Sequence, residues 1–151
     1  MVVDSDDALD KEAAVHSRDD YDLACLSFNP KSCLYAVRME SEIFYGIKRG
    51  DPMARTTLLH ELGHYYHKQL TGNAEESVRY DHERSRLAEE GSVSQREIDA
   101  DDFAVLYLRQ DYVVKGLEAI RQELLRRVDE GCYESVSTTF RELDLRIARL
   151  K

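Results

Sequence analysis

Two histidines four residues apart enclose a glutamate in the run Leu58-Leu59-His60-Glu61-Leu62-Gly63-His64-Tyr65-Tyr66-His67. On an α-helix, positions four apart lie about 40° from each other around the axis and one turn apart along it. Two imidazoles so placed can converge on one cation, as zinc requires. Glu61 leaves the same turn and can reach the attacking water without itself binding metal, the position of a general base.

Two histidines do not hold a catalytic zinc, which takes a third protein ligand and keeps its fourth position open. His67 lies near His60 on the helical wheel but about 10.5 Å along the axis, too far for one ion to bridge all three. It is therefore a flanking or substrate-side histidine. The metzincin pattern fails as well, because His67 stands at its glycine and Leu70 at its last histidine. The remaining source is a carboxylate from another helix, in Glu97-Ile98-Asp99-Ala100-Asp101-Asp102-Phe103-Ala104. Glu97 and Asp101 share a helical face, so Glu97 can bind metal while Asp101 accepts the second N–H of a ligand histidine and fixes its tautomer. Glu97 is also the last residue of the capping box Ser94-Gln95-Arg96-Glu97, a role that competes with ligation. Asp99 points away from this face towards solvent, and Asp102 is an alternate ligand.

Several elements must position these residues. Asp51 as N-cap and Pro52 at the first helical position open the histidine helix, which is expected to run to about Thr71 and stop at Gly72. Upstream, a strand is expected over Tyr21 to Phe28, then a turn at Asn29-Pro30-Lys31-Ser32. Cys33 to Val37 and Glu42 to Ile47, rich in aromatic and β-branched residues, read as two further strands joined by a hairpin turn over Arg38 to Ser41. A short Ala- and acid-rich helix is expected over Ser5 to Ser17. Downstream, helices are expected over Asn73 to Glu90 with Gly91 as its stop, and from Ser94 to about Leu108. Two more follow over Leu117 to Val128, after a break at Val113-Val114-Lys115-Gly116, and over Thr138 to Leu150. The charge of 73–90 reads as a solvated face. In the last helix Phe140, Leu143, Ile147 and Leu150 point inward. Fold class is thus α+β: a small sheet before a metal-binding helix, then a mostly helical C-terminal half.

The chain's 151 residues suit one domain, 1–151, with residues 1–20 as a loosely packed N-terminal segment. A net charge of −9 disfavours nucleic acid and anionic membranes as partners, since both reward a basic patch. No apolar run reaches the roughly 18 residues of a membrane span, and the acidic start Asp4-Ser5-Asp6-Asp7 is unlike a secretory signal. Cys25, Cys33 and Cys132 make no disulfide framework. They suit reduced thiols in a cytoplasmic protein, a Cys25–Cys33 bridge between neighbouring strands being the alternative.

With His60 to His64 followed by Glu97 to Ala104, the chain resembles the gluzincins, zinc peptidases that take their third ligand from a downstream Glu-x-x-x-Asp helix. Two families within that class compete. The HtpX/Oma/CAAX-prenyl-protease type, with its soluble minigluzincin relatives, is matched by His60-Glu61-Leu62-Gly63-His64 and Glu97-x-x-Ala100-Asp101-x-x-Ala104. Gln110-Asp111-Tyr112 and Arg146-Ile147-x-x-Leu150 continue that match. Thr139-Phe140 replaces its His-Pro, Gln110 replaces its Gly, and its membrane helices are missing. The ImmA/IrrE type, which acts on repressors, is similar over Glu97 to Ala104 but normally ends Leu-Leu-Met-Pro, where this chain has Leu106-Tyr107-Leu108-Arg109. The C-terminal Arg146-Ile147-x-x-Leu150 favours the first. Both resemblances imply a zincin-like fold and one zinc per chain on His60, His64 and Glu97, with Glu61 as base and Asp101 behind a ligand.

The activity so implied is hydrolysis of a polypeptide substrate. Tyr107, Tyr112 and Arg146 are the candidates to stabilise the oxyanion. The expected strand Glu42 to Ile47 would offer its edge to an extended peptide, and Tyr65 and Tyr66 would pack beside the second histidine or line the cleft. A non-hydrolytic metal-binding interaction module is the rival class, and it leaves Glu61 without a task. A secreted effector protease would differ in target rather than chemistry.

Overall fold

The computed structural model describes residues 2–5, 23–29, 34–69, 74–129 and 137–151. Three short strands, β1 (Val2–Ser5), β2 (Ala24–Asn29) and β3 (Leu34–Met39), form one sheet in the order β1-β3-β2. β3 runs parallel to β1, with Val3 opposite Val37, and antiparallel to β2, with Asn29 opposite Leu34. Six helices follow: α1 (Ser41–Arg49), α2 (Pro52–Tyr66), α3 (Ala74–Glu89), α4 (Gln95–Leu108), α5 (Gln110–Asp129) and α6 (Ser137–Leu150). The described chain is thus mostly helical, with a small sheet ahead of the histidine helix. The expected helix over residues 5–17 (beyond Ser5, which ends β1), the turn at 30–32, Gly72, Cys33 and Cys132 lie outside the described residues.

The expected strand Glu42 to Ile47 is helix α1, and the expected turn at Arg38 to Ser41 is the end of β3 plus the cap of α1. Ile43 and Ile47 stand one turn apart, so a helix turns both onto the cluster of Leu23, Val37, Met39 and Ala54, which a strand would also allow only for alternate residues. Charge favours the helix too: Glu42 occupies its first turn and Lys48 and Arg49 its last, each opposing the dipole end beside it. Gly50 closes it at φ 77°.

α2 starts where expected, with the Asp51 side chain accepting from the Ala54 N–H at 3.3 Å and Pro52 at its first turn. It ends at Tyr66 rather than Thr71, and Lys68 takes the left-handed φ of 55° that turns the chain out of the helix. α2 is the central helix, packed against α4, α5, α1 and β2. On its other side a second apolar cluster joins Ala104, Val113, Leu117, Leu124, Leu143, Ile147 and Leu150. The break expected at Val113 to Gly116 does not occur; α5 runs through it, and the chain turns instead at Arg109, φ 69°. Gly116 serves close packing: a Cβ there would lie 2.5 Å from Thr56 Cβ and 2.7 Å from the Pro52 carbonyl oxygen. α6 spans its expected residues and buries Leu143, Ile147 and Leu150, with Phe140 half-buried beside them.

Candidate metal centre

His60 and His64 leave one face of α2, and Glu97 leaves the first turn of α4. Gly63 lets these helices meet, because a Cβ there would stand 2.8 Å from Ala100 Cα and 3.0 Å from its carbonyl oxygen. Contact of the two backbones at that point carries Glu97 to the histidines. One ligand atom from each of His60, His64 and Glu97 lies within 4.8 Å of the others. His60 Nε2 is 3.1 Å from Glu97 Oε2, His64 Nε2 is 3.6 Å from Glu97 Oε1, and the two Nε2 atoms are 3.1 Å apart. Ligand atoms about 2.05 Å from a tetrahedral ion sit about 3.3 Å from one another. These three residues could together hold a metal ion.

The capping competition at Glu97 resolves by division of labour. Its backbone N–H goes to Ser94 Oγ at 3.4 Å, so Ser94 caps α4, while its carboxylate turns inward to the histidines. Asp101, one turn on and fully buried, accepts from His60 Nδ1 at 2.9 Å, as the shared helical face predicts. That bond keeps a proton on Nδ1, so Nε2 is the nitrogen that a metal would take in exchange for its proton.

Arg146 reaches the site and lines the same cavity as the histidines and Glu61. Its guanidinium, 6% exposed, donates to Asp101 through Nε at 2.9 Å and Nη2 at 2.6 Å. Nη1 lies 3.2 Å from Glu97 Oε2 and 3.7 Å from Glu142 Oε1. Nη2 also lies 3.1 Å from His60 Nδ1, so the guanidinium sits among the carboxylates behind that histidine. Tyr107 is 63% exposed, its ring 4.9 Å from Phe103, because ten residues after Glu97 a helix presents another face. Tyr112 donates to the Gly50 carbonyl at 2.6 Å and ties α5 to the start of α2. Neither tyrosine lines the cavity over the histidines. His67 and Tyr66 are exposed, stacked edge-on at 5.1 Å, and Tyr65 packs on Tyr35 at 5.0 Å; all three stay outside the site.

Helix α3, whose charge reads as a solvated face, contributes directly. Tyr80 donates to Glu97 Oε1 at 2.8 Å, and Arg84 makes a two-pronged ion pair with Glu142 at 2.7 and 3.0 Å. Arg84 also lies 3.7 Å from Glu97. The signal in the sequence is the spacing of Ser77, Tyr80, Arg84 and Ala88, one stripe of a helix; its polar members hide it from a hydrophobicity pattern. Asp99, expected in solvent, instead accepts from Gln69 Nε2 at 2.7 Å and Gln95 Nε2 at 2.8 Å.

Three buried carboxylates, Glu97, Asp101 and Glu142, face two guanidiniums, and protonation of His60 makes up the difference. Burial and Arg146 press the His60 pKa down, but Glu97 and Asp101 outweigh them and hold it up at about 9. Burial, then the neighbouring charge of His60, lowers His64 to about 4. Burial alone would raise both carboxylates, yet Arg84, His60 and Arg146 hold Glu97 well below the usual range, and Arg146 and His60 do the same for Asp101. Burial, and then the charge of Glu97, raises Tyr80, which remains a donor at any physiological pH.

All of these groups except Asp101 line a cavity of about 230 Å³, which Glu61 lines as well. Apolar residues line it too: Leu23 and Ala24 at the entry to β2, Ile120 and Leu124 of α5, and Leu143 of α6. Comparison with protein-family models, curated proteins and solved structures found no match to this chain.

Proposed function

We propose that the chain is a zinc-dependent peptidase with a gluzincin-type site in a zincin-like fold, one zinc being held by His60, His64 and Glu97. The observation that carries the proposal is the convergence of those three donors within 4.8 Å of one another, with Glu61 lining the same cavity. Zinc bound there would lower the pKa of water towards 7 and polarise the scissile carbonyl. Glu61 takes the proton of the attacking water and passes it to the leaving amine. Asp101 holds His60 in the tautomer that binds metal, and Arg146, Tyr80 and Arg84 fix the two carboxylates in place. The edge expected of Glu42 to Ile47 does not exist, since that segment is α1. β2 takes its place: it ends the strand order, and its first residue lines the cavity, so an extended polypeptide would lie along it. Among the described residues no helix is long and apolar enough to cross a membrane.

Glu61→Gln tests the reading, with zinc stoichiometry and cleavage of an unfolded protein measured together. Zinc near one per chain with cleavage abolished is the expected result. Undiminished cleavage would remove Glu61 as the base, and a wild-type protein that takes up no zinc would remove the metal site itself.

A further inference from the structure

His60 has Asp101 behind it, and His64 needs an equivalent partner if its Nε2 is to face a metal. No residue one helical turn away supplies it. α2 stops at Tyr66, and the left-handed Lys68 sends the next residue back under the helix end, where the Gln69 N–H donates to the His64 carbonyl at 3.0 Å. That return places Gln69 Oε1 at 3.1 Å from His64 Nδ1.

The direction of this bond follows from the groups around it. The other end of the Gln69 amide lies 2.7 Å from Asp99 Oδ2, and a carboxylate only accepts. The amide nitrogen must therefore face Asp99, since a flipped amide would set two acceptor oxygens against each other. Gln95 Nε2 holds the second Asp99 oxygen at 2.8 Å and fixes the carboxylate in turn. Only the carbonyl oxygen of Gln69 is left for His64, so Nδ1 must be the donor. A neutral imidazole with its proton on Nδ1 has its lone pair on Nε2. The Nε2 atom then accepts from His60 Nε2, 3.1 Å away.

We propose that Gln69, oriented by Asp99 and Gln95, is a positioning residue that locks His64 in the Nδ1–H tautomer and presents its Nε2 to the metal. This rests on the metal site argued above, but the lock itself is a property of the protein without metal. Each histidine then has its own partner on the side away from the metal: a carboxylate from α4 for His60, and a carboxylate-held amide from the end of α2 for His64. Asp99 and Glu97, two residues apart, serve opposite sides of the same pair of rings.

The test has two readouts. In chelated, metal-free protein at pH 7, nitrogen NMR of the imidazoles should show His64 protonated on Nδ1 and bare on Nε2. Gln69→Leu should let the proton move to Nε2 and should weaken Zn2+ binding about 10–100-fold against a chromophoric chelator. Gln69→Glu combined with Asp99→Asn keeps an acceptor beside Nδ1 and a donor–acceptor pair at position 99, and should retain the wild-type tautomer. Asp99→Ala frees the amide to rotate and should lose part of the tautomer bias with the fold intact by circular dichroism. A wild-type His64 protonated on Nε2 overturns the proposal, as does a folded Gln69→Leu that binds Zn2+ within about twofold of wild type. If Gln69→Leu does not fold, Asp99→Ala and the wild-type tautomer decide it. A protein that binds Zn2+ but cleaves nothing fails the peptidase reading and leaves the lock standing.

Discussion

Removing the guanidinium of Arg146 separates two roles that the sequence leaves open, oxyanion donor and structural counter-charge. Arg146→Met keeps most of the buried stem and deletes the charge. In the folded protein this leaves Asp101, at 0% exposure, without its closest cation and Glu97, at 2%, without one of its two guanidiniums. The lost contacts are those at 2.6 and 2.9 Å to Asp101 and 3.2 Å to Glu97. Breaking one partner out of a buried ion pair typically destabilises by about 3–5 kcal/mol, because the remaining charge stays desolvated. For a chain of this size each kcal/mol shifts Tm by about 2–4 °C, so the metal-free variant should melt about 6–20 °C lower. Denaturant unfolding in the presence of a chelator gives the energy directly. Adding Asp101→Asn to Arg146→Met removes one orphaned charge, so the double variant should lose less than the sum of the two singles. Zn2+, a cation beside the same carboxylates, should recover part of the loss. A metal-free Arg146→Met within about 1 kcal/mol of wild type would refute the counter-charge role, as would strict additivity in the double variant.

Metal uptake should release about one proton per chain at pH 5, because His60 is held up at about 9 and His64 down at about 4, whereas two ordinary histidines would release nearly two. Calorimetry in buffers of differing protonation enthalpy reads this, and affinity should climb as pH rises towards 9. Gly63→Ala should cost about 1–3 kcal/mol by forcing a methyl against the α4 backbone at Ala100, and should weaken Zn2+ binding because α4 carries Glu97. Chelator competition and urea unfolding check both effects. Glu123, whose pKa falls to about 2 through its bond to Arg126, against a small burial effect, and through Arg127, has a depressed folded pKa. Its contribution is present above the unfolded value near 4.5 and is lost as pH falls through about 2, so Glu123→Gln should flatten the stability profile across that window.

What the sequence determines by itself here is local. The spacing of His60, Glu61 and His64, the Asp51-Pro52 start of α2, the Ser94 cap and the Glu97/Asp101 pair each depend on one helix and its period, and each stands in the structure as read. Helix α6 follows for the same reason, from an apolar stripe of period 3.6. What depends on packing between elements was decided only by the tertiary structure. Ile43 and Ile47 suit either a strand or a helix until the cluster that receives them is known. Gly116 resembles a breaker until Thr56 is found against it, and Gly63 a filler until Ala100 is. Arg146 has the charge of an oxyanion donor, and only the tertiary structure shows the carboxylates of Asp101, Glu97 and Glu142 around it. Tyr80, Arg84 and Gln69 carry no motif, because their partners lie 17, 58 and 30 residues away in Glu97, Glu142 and Asp99. Periodicity reports which face of an element a residue occupies; only the meeting of faces decides which polar groups become a site.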